Sequence, residues 1–184
     1  MSHAGTGRIT LGGGCFWCTE AVFARVRGVR AVEPGYCNGE LPNPSYEQVC
    51  TGRTGHAEVV RIDYDPSHVS LSQLLEVFFC IHDPTSLNRQ GADVGTQYRS
   101  GIYHEHPDDE ALARAFLAAA DTVLGGRVVT ELQPLRLYSS AEPYHHQYFA
   151  RNPDQGYCVF VVAGKVDKFM KTFGHLMRDD AGTD

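Results

Sequence analysis

The chain has 184 residues, with sixteen basic and twenty-two acidic side chains for a formal net charge of −6, and is 42% hydrophobic and 21% charged. That length suits one domain with a full hydrophobic core, and the composition argues against wholesale disorder or a fibrous repeat. The acids are scattered and no Lys/Arg-rich run occurs, which disfavours nucleic acid as a partner; no apolar run approaches the ~20 residues of a membrane span, and Met1 to Gly7 lacks the pattern of a secretory signal, so a cytoplasmic protein is expected.

Ile9-Thr10-Leu11 predicts a short strand running into Gly12-Gly13-Gly14, and Phe16 to Val26 follows with helix-compatible spacing, so Cys15 falls at a strand-to-helix turn. Val29 to Val32 reads as a second strand, Pro34 to Pro44 as a turn-rich stretch, and the alternation of Ala57 to Tyr64 as a third strand closed by Asp65-Pro66. Ser70 is a helix cap, with Leu71, Leu74, Leu75, Phe78 and Phe79 at helical spacing up to Ile81 and His82-Asp83-Pro84 as the stop. A long polar loop precedes a strand over Ser100 to His104, an Ala-rich helix from Asp108 to Leu124 behind Pro107, a strand over Val128 to Leu132 and a terminal helix over Lys165 to Met177. Strands and helices thus intermix, which predicts an α+β or α/β domain covering 1–184, with 1–7 and 179–184 as flexible ends. The loops hold most of the Gly, Tyr, His and Cys, and function is to be sought there.

Six cysteines (Cys15, Cys18, Cys37, Cys50, Cys80 and Cys158) are too few and too unevenly spaced for a disulfide scaffold. A free cysteine is commonly a small buried hydrophobe, the reading given to Cys50 and Cys80. Cys15 is different, because a helix start places its sulfur near unpaired backbone N–H groups and the positive end of the helix dipole, which favours the reactive thiolate. Cys15-Phe16-Trp17-Cys18 also raises a thioredoxin-like dithiol and half of a zinc site. Zinc is the weaker, since no second Cys-x-x-Cys or His-x-x-x-His exists and His145-His146 are adjacent; a phosphate loop is weak too, since no Gly-Lys-Ser/Thr follows the glycines.

Gly14-Cys15-Phe16-Trp17, the run from Gly35-Tyr36-Cys37-Asn38-Gly39 through Pro44-Ser45-Tyr46 to Gly55-His56-Ala57-Glu58, and Gly95-Thr96-Gln97-Tyr98-Arg99-Ser100 occur in one order along the chain. Together they closely resemble the peptide-methionine (S)-S-oxide reductase family, the A-type methionine sulfoxide reductases, from about Ile9 to Cys158. The resemblance implies a ferredoxin-like α+β sandwich with a mixed sheet and long loop excursions. It implies Cys15 as nucleophile, Phe16 and Trp17 as the pocket for the substrate's S-methyl group, Glu58 as the acid, Tyr46 and Tyr98 as hydroxyls that bind the sulfoxide oxygen, and Asp93 as a residue that shapes the site. It further implies methionine S-sulfoxide, free or in oxidised proteins, as substrate, no bound metal, flavin or nucleotide, and electrons from thioredoxin, or from dithiothreitol in vitro.

The chemistry independently asks for these residue types. Reducing a sulfoxide needs a soft nucleophile at sulfur and a proton for the departing oxygen, so a thiolate beside a protonated, partly buried carboxyl is a sensible pair. The product on Cys15 is a sulfenic acid, which condenses with a second thiol. The resemblance points to Cys158, after Gly156-Tyr157, as that thiol; Cys18, one helical turn from Cys15, is the local alternative, and Cys37 a weaker third. Many relatives have glycine where Cys18 stands. A thioredoxin-like dithiol oxidoreductase and a zinc-binding interaction module are the rival classes, and neither accounts for the distant motifs.

Overall fold

The computed structural model describes residues 5–179. The expected flexible ends fall largely on residues 1–4 and 180–184, outside the described residues; Gly7, expected in the first of them, already opens strand β1 (Gly7–Gly12). The chain continues through α1 (Phe16–Phe23), β2 (Val29–Cys37), α2 (Tyr46–Cys50), β3 (Ala57–Tyr64), α3 (Leu71–Ile81), the short strands β4 (Arg89–Gln90) and β5 (Asp93–Val94), β6 (Gly101–His104), α4 (Pro107–Val123), β7 (Glu131–Pro134), β8 (Ser139–Ser140), α5 (Tyr148–Arg151), a π-helical turn (Cys158–Val162) and α6 (Ala163–Phe173).

Six strands form one mixed sheet in the order β7-β6-β1-β3-β2-β8, and β4 pairs with β5 as a separate small hairpin. The sequence β1-α1-β2-β3-α3-β6, with spatial order β6-β1-β3-β2 and antiparallel pairing throughout that set, is the ferredoxin-like arrangement expected. The connection through α4 lets β7 run parallel to β6, which makes the sheet mixed.

Local chemistry explains the elements. Ser70 closes a capping box with Gln73 at the start of α3, and Ser45 does the same with Gln48 for α2. On β3 the period of two sends Glu58, Val60 and Ile62 to one face and Ala57 and Val59 to the other. The first face joins the main core of Ile9, Leu11, Phe16, Phe23, Leu74, Phe78 and Phe169; the second packs a smaller cluster with Cys37 and Tyr103. Gly14 takes φ = +94°, and a Cβ there would come within 2.8 Å of Gln90, so this turn into α1 requires glycine.

Several expected boundaries move. Strand β2 runs five residues past Val32 because Gly35, Tyr36 and Cys37 pair with Val59, Glu58 and Ala57; Pro34, which lacks an N–H, still accepts from the Ala141 N–H through its carbonyl. Helix α1 stops at Phe23 rather than Val26, β7 begins at Glu131 rather than Val128, and α6 is bounded by the π-helical turn before it and a 3₁₀ turn, Gly174–Leu176, after it. The short α2, α5 and β8 are not expected from the sequence, since two to five residues are too few to show a period.

Candidate active site

Strand β1 ends at the glycine turn and delivers Cys15 to the N-cap position of α1, with Phe16 and Trp17 in the first turn. Beneath that turn lies Glu58, 1% exposed, whose Oε1 accepts from the Phe16 N–H at 3.4 Å while Oε2 is buried with no partner among the described residues. Burial pushes the Glu58 carboxyl up to about 8, with the fields of Asp93 and Cys18 in the same direction. It therefore holds a proton at neutral pH, and Oε2 is where that proton has no protein acceptor.

Tyr46, at the start of α2, and Tyr98, in the 3₁₀ turn Thr96–Tyr98, both lie within the field of Glu58: both phenols are raised first by burial and then by that field. Tyr46 is anchored by its N–H on Glu142 Oε2 at 3.0 Å, and Tyr36 O–H donates to the other oxygen of the same carboxylate at 3.0 Å. Phe16 packs beside Tyr36, Tyr46 and His145, with ring centroids 5.7, 6.5 and 4.9 Å away. Trp17 stacks flat on Tyr148 at 3.7 Å and 5°, meets Tyr157 edge-on at 5.8 Å, and donates its indole N–H to His145 Nδ1 at 3.0 Å. These rings form an apolar wall beside the Cys15 sulfur.

The cysteines depart from the expectation for the free protein. Cys15 is 9% exposed, and burial pushes its thiol well above the ordinary value despite the hydrogen bond from the Trp17 N–H. Cys18, hydrogen-bonded by the Cys15 thiol and facing Lys165 and Tyr157, is pulled down to about 7. Loss of one proton from the pair thus favours charge on Cys18, with the remaining proton on Cys15, because burial of the N-cap sulfur opposes the helix N-terminus. Passing that proton across the thiol–thiol hydrogen bond produces the Cys15 thiolate.

Cys158 is fully buried at the head of the π-helical turn, with its thiol raised by burial and then by the charge of Cys18. Asp93 reaches the site through Tyr157, whose O–H donates to Asp93 Oδ2 at 2.6 Å. Cys37 lies on the opposite face of the sheet in the second cluster, away from Cys15. Cys50 is exposed at the end of α2 rather than buried as expected, and Cys80 is half-buried; the short α2 turns Tyr46 and Val49 toward the core and leaves Cys50 at the surface. The structure therefore gathers Cys15, Cys18, Phe16, Trp17, Tyr46, Glu58, Asp93 and Tyr98, with Cys158 behind Cys18.

Sequence reasoning missed His145, Glu142, Tyr148 and Tyr157. His145 is fully buried and kept neutral by desolvation, at about 4; its Nδ1 accepts from Trp17, so Nε2 carries the proton and has no partner among the described residues. The one available signal was the aromatic density of Pro143-Tyr144-His145-His146 and of Tyr157 beside Cys158. Among the described residues no group of three or more His, Cys, Asp or Glu side chains is placed to hold a metal ion, and no helix is long and apolar enough to cross a membrane.

Two adjacent thiols that share one proton, set over an un-ionised carboxyl, define a thiol-dependent oxidoreductase. The sequence pattern described as peptide methionine sulfoxide reductase matches residues 7–176, and the chain belongs to that family. It is 54% identical to the peptide methionine sulfoxide reductase MsrA of Sulfolobus acidocaldarius over 89% of this chain and 93% of that one, and 56% identical to that of Nautilia profundicola over 89% and 94%. Among solved structures, reduced Mxr1 from Saccharomyces cerevisiae superposes with a TM-score of 0.78 at 35% identity, covering 85% of this chain and 91% of that one. Methionine sulfoxide reductase A of Corynebacterium diphtheriae gives 0.77 at 40%, covering 85% and 79%.

Proposed function

We propose that this chain, as a single catalytic domain, reduces methionine S-sulfoxide, free or within proteins, to methionine. The observation that carries the reading is the protonated, unpartnered Glu58 carboxyl buried under the first turn of the helix that Cys15 caps. The Cys15 proton moves to Cys18, and the Cys15 thiolate attacks the sulfoxide sulfur, whose methyl group rests on Phe16 and Trp17. Glu58 gives its proton to the oxygen while the hydroxyls of Tyr46 and Tyr98 donate to the charge developing there. Asp93 shapes the far wall. The S–O bond breaks and the oxygen leaves as water; water then attacks the Cys15 sulfur and breaks its bond to the substrate sulfur, so that methionine departs, a proton is released and Cys15 carries the oxygen as a sulfenic acid.

The thiol nearest that sulfenic acid is Cys18, which supports a resolving order different from a direct attack by Cys158. Cys18 forms the first disulfide with release of water, and Cys158, whose nearest charged thiol is Cys18, attacks Cys18 in turn and frees Cys15. Two electrons from an outside dithiol then reduce the Cys18–Cys158 disulfide. Thioredoxin is the donor this reading favours: a further solved structure of Mxr1 from Saccharomyces cerevisiae, with a TM-score of 0.56 to this chain, is a complex with Trx2. The cycle needs no bound cofactor, and a reducing compartment such as the cytoplasm suits it.

The test is turnover of the separate S and R epimers of N-acetyl-methionine sulfoxide with dithiothreitol, for the wild type and Cys15→Ser. Consumption of the S epimer alone, abolished in the variant, is expected. Reduction of neither epimer refutes the reading.

A further inference from the structure

Tyr157 has no part in the reduction chemistry, yet it touches both a reacting sulfur and a carboxylate. Its oxygen lies 3.7 Å from Cys18 Sγ, and its O–H donates to Asp93 Oδ2 at 2.6 Å. A phenol has a single proton, and the short bond commits it to Asp93, so once Cys18 has taken up the Cys15 proton its S–H is the donor in this contact and the Tyr157 oxygen the acceptor. The three groups form a one-way chain, S–H to O–H to carboxylate, ending on a residue that is partly exposed. The edge of Tyr157 against Trp17 holds the phenol in this place.

We propose that Tyr157 and Asp93 are the proton relay that turns Cys18 into a nucleophile after methionine has left. The inference rests on the reading above, in which Cys18 resolves the Cys15 sulfenic acid, and proton bookkeeping requires something of this kind. Cys18 receives the Cys15 proton before the reduction step, so it is a thiol when its turn comes, and a thiol is a poor attacker of a sulfenic acid. As the Cys18 sulfur bonds to Cys15, its proton passes to the Tyr157 oxygen, and the Tyr157 proton passes to Asp93 and on to solvent. The Cys15 S–O bond breaks, and the departing hydroxide takes up a proton to become water. The net reaction is one thiol plus one sulfenic acid giving one disulfide plus water. Tyr157 touches a reacting atom and is a catalytic residue of this step; Asp93 acts through it.

The titratable and charged groups that face Cys18 are Cys15, Tyr157, Asp93 and Lys165, with Glu58 and Cys158 within reach of its field. Of these, Tyr157 is hydrogen-bonded both to the sulfur and to a carboxylate. Lys165 stabilises the thiolate but cannot accept its proton while charged.

The experiment separates resolution from reduction. Enzyme is mixed with one equivalent of sulfoxide, methionine release is measured, and the loss of dimedone-trappable sulfenic acid is then followed alongside the fluorescence of Trp17, the sole tryptophan. In Tyr157→Phe the conversion of sulfenic acid to disulfide is expected to slow by roughly 10²-fold at pH 7, a usual size for loss of a general base. The hydrogen bond from the Cys15 thiol that lowers Cys18 is gone once Cys15 is a sulfenic acid, so Cys18 returns toward the ordinary thiol range; the rate of the variant should then rise with pH, by up to about tenfold per unit, as free thiolate forms, whereas the wild type varies less. Asp93→Asn, which keeps a hydrogen-bond acceptor but no base, should show the same steep profile, and serves if Tyr157→Phe folds poorly. A wild-type rate and pH profile in both variants overturns the relay. Equally fast loss of sulfenic acid in Cys18→Ser overturns the resolving order beneath it, and failure to release methionine in the wild type overturns the functional reading itself.

Discussion

Glu58→Gln should abolish most activity while making the protein more resistant to alkaline conditions. With its carboxyl at about 8, the folded protein binds a proton that the unfolded chain, at an ordinary carboxyl value of 4.5, has released across the interval between. A raised carboxyl favours folding fully below the lower value, and that stability is lost as pH rises through the upper one. From pH 5 to pH 8 the wild type should lose about 3 kcal/mol through this group alone. Glutamine has no proton to lose, so its stability should lack this slope. At pH 7 about nine in ten Glu58 carboxyls are protonated, and removing that donor should lower kcat/KM for the S-sulfoxide by 10²- to 10⁴-fold. Urea unfolding at several pH values, with turnover on the same samples, tests both halves. Parallel pH slopes in the two proteins would refute the buried, proton-holding assignment; turnover within a few-fold of wild type would refute the acid role.

Activity of the wild type should itself fall about tenfold per unit above pH ~8, as Glu58 ionises, in a kcat/KM profile taken with dithiothreitol. Cys158→Ser should release one methionine per enzyme, Cys18→Ser should release it more slowly because Cys15 loses its proton acceptor, and both should fail to cycle with thioredoxin, whereas Cys37→Ser, on the other face of the sheet, should cycle normally. Tyr148→Leu should raise KM by roughly 2- to 10-fold, the worth of a stacked aromatic pair, and shift the Trp17 emission, with unchanged values of both contradicting a substrate wall that needs this stack. Gly14→Ala should cost about 1–2 kcal/mol in urea unfolding from the positive φ alone, with more from displacing Gln90.

Features that depend on near neighbours along the chain were legible from the residues in order. The strand-to-helix turn at Cys15, the serine cap of α3 and the two-residue alternation of β3 each require only a few adjacent side chains, and they place Cys15 and Glu58 on facing elements. The motif residues Tyr46, Tyr98 and Asp93 were legible as a set only through resemblance, because nothing local to each distinguishes it from ordinary packing.

Protonation was not legible. The helix start by itself argues for a Cys15 thiolate, but burial is a sum over segments remote in sequence, and here it reverses the outcome and moves the charge to Cys18. The same holds for the contacts that span the chain: Trp17 with His145, 128 residues apart, and Cys18 with Tyr157, 139 apart. The amino-acid sequence by itself determined which groups can react and the local turns that present them. Only the tertiary structure decided how deeply each sulfur is buried, that the Cys15 and Cys18 thiols meet and that Tyr157 lies between Cys18 and Asp93, because each of these depends on desolvation and on groups brought close by folding.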